Sequence, residues 1–290
     1  MQTLTARLVG SRVCALTFTL TACAITPAPV PDAESVVQLP GGEPGIGLDD
    51  LRFSATLGKL VVPAGRTGNV VLVDPATLEV TTIGGFSAFD RFDGGDQQGV
   101  ESADEGGGLV FAVDRAAFTL NVVDPLARAI VATTTLEHSE PDYIRFSAAR
   151  NELWIANVNR GRFEVLSTAG STAPIHEAFV TASGGPEGIA IDDIRGRVYG
   201  RAFSGDVIVV DMAARAEIAR WTTGCASAHG IPIADPDRPF VYVGCGDATV
   251  VVMDADTGTS LGRFRLGSGS SIIAYAPALR HLYLRGDGHP

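Results

Sequence analysis

The sequence predicts an all-β fold built from repeated four-stranded units, and three observations carry that prediction. A segment near the start, RFSATLGKLVV (52–62), recurs as RFSAARNELWI (145–155). A second series, VVLVDPATLEV, LNVVDPLARAI, IVVDMAARAEI and VVVMDADTGTS, sets Asp74, Asp124, Asp211 and Asp254 at matching points, with Ser167 filling the gap. Successive spacings are 50, 43, 44 and 43 residues. Between these marks, short apolar and β-branched runs alternate with Gly, Asp and Pro, the pattern of strands and tight turns. A unit of about 43 residues cannot bury a sheet face alone. Such units must stack, and radial stacking of four-stranded blades makes a β-propeller.

Taken in order, residues 1–22 read as a lipoprotein signal peptide and stay outside the fold. Arg7 and Arg12 form a positive start, and VCALTFTLTACAI is an apolar run too short to span a bilayer. Leu20-Thr21-Ala22-Cys23 resembles a bacterial lipobox. The resemblance implies lipidation at Cys23 and an exported protein on the periplasmic side of the outer membrane or at the cell surface. Ordinary signal-peptidase cleavage after Ala24 is the other reading. Residues 23–34 follow as a lipidated Cys and Pro-rich tether, and residues 35–290 as the propeller domain.

Each unit reads as four strands; in the fourth these are EGIAID, RVYGRAF, DVIVVD and AEIARWT. The recurrent Asp closes the third strand, where its carboxylate can accept backbone N–H groups two residues on and fix the turn. Aligning first strands on second gives an aliphatic column, Leu51, Val100, Ile144, Ile189, Ile231 and Ile273. Two residues on comes a mostly large apolar one, Phe53, Ser102, Phe146, Ile191, Ile233 and Tyr275. The spacing from Asp74 to Asp124 is longer than the rest because of an insertion around FSAFDRFDGGDQQ. Five units are complete and a sixth has its first two strands. SVVQL (35–39) stands where a fourth strand would complete the last blade, which leads us to expect a truncated chain whose natural form has seven blades, with six as the alternative.

The repeats lack the Gly-His and Trp-Asp pairs of WD40 units and the double glycine of kelch units. The turn in VVMDADTGTS resembles that of YVTN-type, YncE-like propellers, which are exported bacterial proteins. The resemblance covers roughly residues 45–290 and implies the fold; these propellers serve many roles.

The most informative column lies where each inner strand begins: Asp49, Gln98, Asp142, Glu187, His229 and Ser271. Inner strands start around the central channel, so these six are candidates for a polar ring at its mouth. Such a ring can bind a cation, a polyol or a peptide amine, although loop residues at a solvated mouth are polar without any function. Arg52, Glu101 and Arg145 are expected three positions further along and fit structural ion pairs. If the protein is an enzyme, Glu187 or Asp142 is the candidate base or metal ligand and His229 the acid or base. Propeller lactonases of the gluconolactonase type hold a metal with carboxylates and two Asn. Here the ring has no Asn, and Asn157 and Asn159 lie near the end of a second strand.

Other motifs read as local structure. DADTGTS begins like a calcium loop but has Arg265 where Glu is required, and GGG (106–108) is a tight turn. DRFDGGD (90–96) remains a candidate calcium loop. Cys225 and Cys245 are the cysteines left to the folded domain, and an exported compartment favours their disulfide. A Cys225–His229 metal pair is the alternative.

A net charge of −11 argues against nucleic acid, which needs a basic face. The expected function is a ligand- or protein-binding scaffold acting through the channel face and tethered to a membrane by its lipid. A lactonase- or lyase-like enzyme is the alternative. No cofactor is expected beyond a Ca²⁺ or other divalent cation in the channel.

Overall fold

The computed structural model describes residues 36–137, 140–225, 230–265 and 272–285. The expected signal peptide, Cys23 and the tether to residue 34 lie outside the described residues, as do His229 and Ser271. The propeller belongs to a compact unit, Gln38–Pro290. Among the described residues, no helix is long and apolar enough to cross a membrane.

Every four-stranded sheet is an antiparallel meander, each strand pairing with the next in sequence. Blade 1 comprises β1 (Arg52–Ser54), β2 (Lys59–Pro63), β3 (Asn69–Val73) and β4 (Val80–Gly84). Blade 2 follows with β5 (Val100–Gly106), β6 (Leu109–Asp114), β7 (Thr119–Asp124) and β8 (Ala129–Thr135). Blade 3 has β9 (Pro141–Ser147), β10 (Glu152–Asn157), β11 (Arg162–Ser167) and β12 (Ile175–Thr181). Blade 4 has β13 (Glu187–Asp192), β14 (Arg197–Arg201), β15 (Val207–Asp211) and β16 (Ala216–Trp221). Blade 5 has β17 (Ile233–Ala234), β18 (Phe240–Gly244), β19 (Thr249–Asp254) and β20 (Ser260–Arg265). A two-stranded sheet, β21 (Ile272–Ala276) and β22 (His281–Arg285), follows as the sixth unit. Five blades and a partial sixth are what the repeat predicts. The fold is a β-propeller.

The core lies between blades, because each sheet has two apolar faces and gives one to each neighbour. Val61, Val70 and Leu72 of blade 1 meet Val100, Ala103 and Val110 of blade 2. Phe111 and Val113 meet Ile144, Leu153 and Ile155, with Phe111 stacked on Phe146 at 5.7 Å. Trp154 and Phe163 face Ile189, Val198 and Ile208, and Tyr199 and Trp221 face Val241 and Val243. Tyr242 covers Tyr275 at 5.1 Å. Leu51 and Phe53 depart from the expected buried columns: they are 49% and 57% exposed. They lie on blade 1, on the side away from blade 2.

The recurrent turn forms as its chemistry requires. Asp74, Asp124 and Asp254 each accept backbone N–H groups two and three residues on through Oδ1, at 2.8–3.0 Å. Asp211 accepts from Ala214, and the Ser167 hydroxyl accepts from Ala169. These bonds satisfy N–H groups that a tight turn leaves without ladder partners.

Residues 36–39 form no strand, contrary to the expected fourth strand at SVVQL. The chain after them is held as a strap over the top of blade 1. Arg66, almost fully buried, donates to the carbonyls of Gly41, Glu43, Gly45 and Phe89 at 2.6–3.0 Å. The strap passes close to the inserted loop 85–99. A Cβ on Gly47, whose φ is +75°, would lie 2.5 Å from the Gly95 carbonyl oxygen, so only glycine fits there.

Candidate functional site

The first strands of successive blades pack against one another and form the innermost layer. Their starting ends therefore converge on one face. Asp49, Asp142 and Glu187 stand at these ends, as expected, and line one cavity of about 410 Å³. Asp96 and Gln97 from the inserted loop, Arg115 after β6, Glu140, Tyr143, Asn159 and Phe203 complete most of its wall.

Gln98 is a correction. Its side chain is spent inside the inserted loop, donating to the Arg91 carbonyl at 3.0 Å and accepting from the Asp93 N–H at 3.1 Å. Val100 pairs with Asp114 as Pro141 pairs with Asn157, so Glu101, not Gln98, stands level with Asp142. The physical cause is register. The β5–β6 hairpin turns on Gly107 and Gly108 alone, whereas blades 1 and 3 use four residues. The pairing also shifts between Val100 and Ser102. Val100 and Ser102 consequently leave the columns expected for them. Asp104 takes the place level with Arg52 and Arg145, where Glu101 had been expected.

Below the mouth, the axis is filled by charge pairs. Arg145 Nη1 and Nη2 donate to Asp50 at 2.7 and 3.0 Å, and both side chains are buried. Ser102 Oγ also donates to Asp50 and accepts from the Ile144 N–H. One carboxylate thus ties the inner ends of blades 1, 2 and 3. Arg52 pairs with Asp104 at 3.0 Å. The ion-pair reading of Arg52 and Arg145 holds.

At the mouth the charges are uneven. Arg115 is held by Glu101 at 2.8 Å and lies 3.4 Å from Asp142 and 3.5 Å from Glu140. Tyr143 donates its hydroxyl to Asp49 at 2.9 Å, Glu187 pairs with Arg201, and Asn159 donates to Glu140. Burial pushes the Asp142 carboxyl up to about 7, reinforced by Asp49 and opposed by Arg115. Burial likewise raises Glu101 to about 8 against the pull of Arg115. Asp49 rises to about 6 for the same reason, with the Tyr143 hydrogen bond holding it down. Three carboxyls thus titrate between about 6 and 8, where carboxylic acids rarely do.

Sequence reasoning missed Arg115, Asp96, Tyr143 and Glu140. The insertion was the available signal, since it carries Asp96 and Gln97 into the wall. Tyr143 left none, because its partner Asp49 sits at the start of blade 1, and Arg115 left none, because it reaches Glu140 and Asp142 of the next blade as well as Glu101 of its own. Among the described residues, no three His, Cys, Asp or Glu side chains are grouped so that they could hold a metal ion. In the candidate calcium loop, Asp93 Oδ1 accepts the Gly95 N–H at 3.1 Å, a local turn bond. Asn157, buried in β10, donates to Glu164 at 3.3 Å and does not line the cavity.

Cys225 and Cys245 form the expected disulfide, with Cα atoms 5.5 Å apart. It joins the loop before β17 to the end of β18, within one blade.

No family model and no curated protein matches the sequence. The fold, by contrast, is widely shared: 1485 chains of solved structures match. One is a chain in a structure titled "Crystal Structure of Mitotic Checkpoint Complex", with a TM-score of 0.65 and 16% identity. The match covers 92% of this chain and 79% of that one. At that identity the likeness carries the fold and no more.

Proposed function

We propose that this chain is an exported, lipid-anchored propeller that binds a ligand or a segment of a partner protein at the channel mouth. The observation that carries the reading is the carboxylate-lined cavity of about 410 Å³ where the inner strands converge. Convergent polar groups in a concave site are the common form of a binding pocket. The propeller found in the mitotic checkpoint complex is consistent with a protein-binding role for this fold. Export and anchoring at Cys23 rest on the lipobox-like LTAC and on the YVTN-type turn of VVMDADTGTS.

Two experiments test this. Ligand capture from cell extract compares the full-length protein with the Asp142→Asn/Glu187→Gln double variant; equal capture by both refutes a site at the mouth. Replacing Cys23 by Ala should move the protein from the membrane fraction to the soluble one, and unchanged fractionation refutes the anchor.

A second reading, a lactonase- or lyase-like hydrolase, is favoured by one observation. Asp49, Asp142 and Glu101 are held near neutral pH, where a carboxyl can both take and give a proton. In that reading Asp142 or Glu187 is the base. His229, outside the described residues, is its proposed partner. Turnover of a lactone panel with loss of activity in Asp142→Asn would establish it, and an inert panel would leave binding as the function.

A further inference from the structure

We infer that Glu164 and His176 form a proton-operated latch on blade 3 that fixes two chain segments of the channel mouth. Glu164 lies in β11, on the face that also carries Leu166 and meets Leu120, Val122 and Leu136 of blade 2. Its side chain is 2% exposed, a costly place for a carboxylate unless it is bonded and paired. His176, on the outer strand β12, sets its Nδ1 3.3 Å from Glu164 Oε1, while the ring stays 41% exposed. The ring rests on Phe179 at 4.4 Å, and Arg162 stacks over that same Phe179 at 3.7 Å. The other charges of this seam have partners of their own. Arg162 pairs with Glu137, Glu177 with Arg215, and Glu140 with Arg115. Among the described residues, His176 is therefore the cation bonded to Glu164; His138, beside Glu137 in the sequence, lies outside them.

The same carboxylate reaches the mouth through two neighbours. Asn157, fully buried, donates its Nδ2 to Glu164 Oε2 at 3.3 Å. Its Oδ1 is buried with no partner among the described residues, so the bond to Glu164 is what holds this side chain. Val158 and Asn159, the next two residues, line the cavity. The Glu137 N–H faces Glu164 from the other side, and Glu137 stands three residues before Glu140 and five before Asp142, both in the cavity wall. Burial raises the Glu164 carboxyl, opposed by Asn157, His176 and the Glu137 N–H. An imidazole ordinarily titrates near about 6.5. Below that range the pair shares a proton and its bond is charge-assisted, which roughly doubles a hydrogen bond's strength. Above it a neutral imidazole can still donate but brings no charge, and a buried carboxylate loses its counter-ion. The latch is thus closed in mild acid and loosened as pH rises. Its bearing on binding rests on the reading above, while the latch itself can be read without any ligand.

The test is amide hydrogen exchange of the full chain at pH 5.5 and pH 8, comparing wild type with His176→Gln, which keeps a donor but cannot take a proton. The readout is the ratio of the two proteins' exchange rates over residues 157–162, where the Gly161 N–H bonds the Val158 carbonyl. Intrinsic exchange and the titration of the mouth carboxyls are common to both proteins and cancel in that ratio. Wild type should exchange at least fivefold more slowly than the variant at pH 5.5 and within twofold of it at pH 8. Glu164→Gln, which removes the other partner, should shift the ratio with pH in the same direction and keeps the test valid if one variant fails to fold. Strand β18 of blade 5 is the control and should show a ratio that does not move with pH. A ratio over residues 157–162 that is the same at both pH values overturns the inference. So does an equal change in β18, which would show a general effect on stability rather than a local latch. If the latch fails, capture at the mouth is untouched as evidence for binding. If capture is indifferent to Asp142 and Glu187 while the ratio moves as expected, the binding reading falls and the latch stands.

Discussion

Replacing Asp142 by Asn should stabilise the protein at alkaline pH and flatten its pH dependence. Asp142 is 8% exposed and takes up its proton near about 7, against an ordinary value of 3.8. Between those values the folded protein holds a proton that the unfolded chain has released. Stability must therefore fall as pH rises through that window and level off above it. Each pH unit in the window is worth ~1.4 kcal/mol. From about pH 5 to about pH 7 the wild type should lose about 3 kcal/mol through this one group. Asn cannot ionise and escapes the loss, while giving up only the 3.4 Å contact with Arg115. Urea denaturation at intervals from pH 5 to pH 8 reads the difference directly. The curves should diverge progressively, with the variant ahead by about 3 kcal/mol more at the upper end than at the lower. Because Asp49 and Glu101 share the same field, their gains should not add to this one. Parallel wild-type and variant profiles would refute the account of the mouth as a site of uncompensated buried charge.

Other perturbations test the frame. Asp50→Ala strands Arg145 in the core and should cost ~3–5 kcal/mol in urea unfolding. Adding Arg145→Met should recover much of that loss, and additive losses would show that the two side chains do not act as a pair. Thiol titration of the native domain should find Cys225 and Cys245 unreactive, and Cys225→Ser/Cys245→Ser should lower stability by ~3 kcal/mol. Two titratable thiols would remove the bridge from the account. Asp124→Ala removes the one acceptor, Oδ1, that takes both turn N–H groups and should cost about 1 kcal/mol, with Asn keeping most of the stability. Equal losses for Ala and Asn would mean the charge rather than the turn bonds matters.

What could be read from the sequence was what repeats locally. Alternating apolar residues, turn aspartates at intervals of about 43 residues and paired cysteines in a short loop follow from backbone geometry and nearest neighbours, and each appears in the fold. Asp49, Asp142 and Glu187 were legible for the same reason, as residues at equivalent ends of similar strands. Gln98 failed where locality fails: a hairpin two residues shorter and one shift in pairing move the ladder, and no propensity in the strand reveals either. The pairs that shape the site join chain segments far apart, Asp50 to Arg145, Asp49 to Tyr143 and Arg115 to Asp142. A repeat specifies what each blade looks like. Only the closing of blades around an axis brings unlike side chains from different blades within bonding distance, and the charge balance at the mouth is decided there.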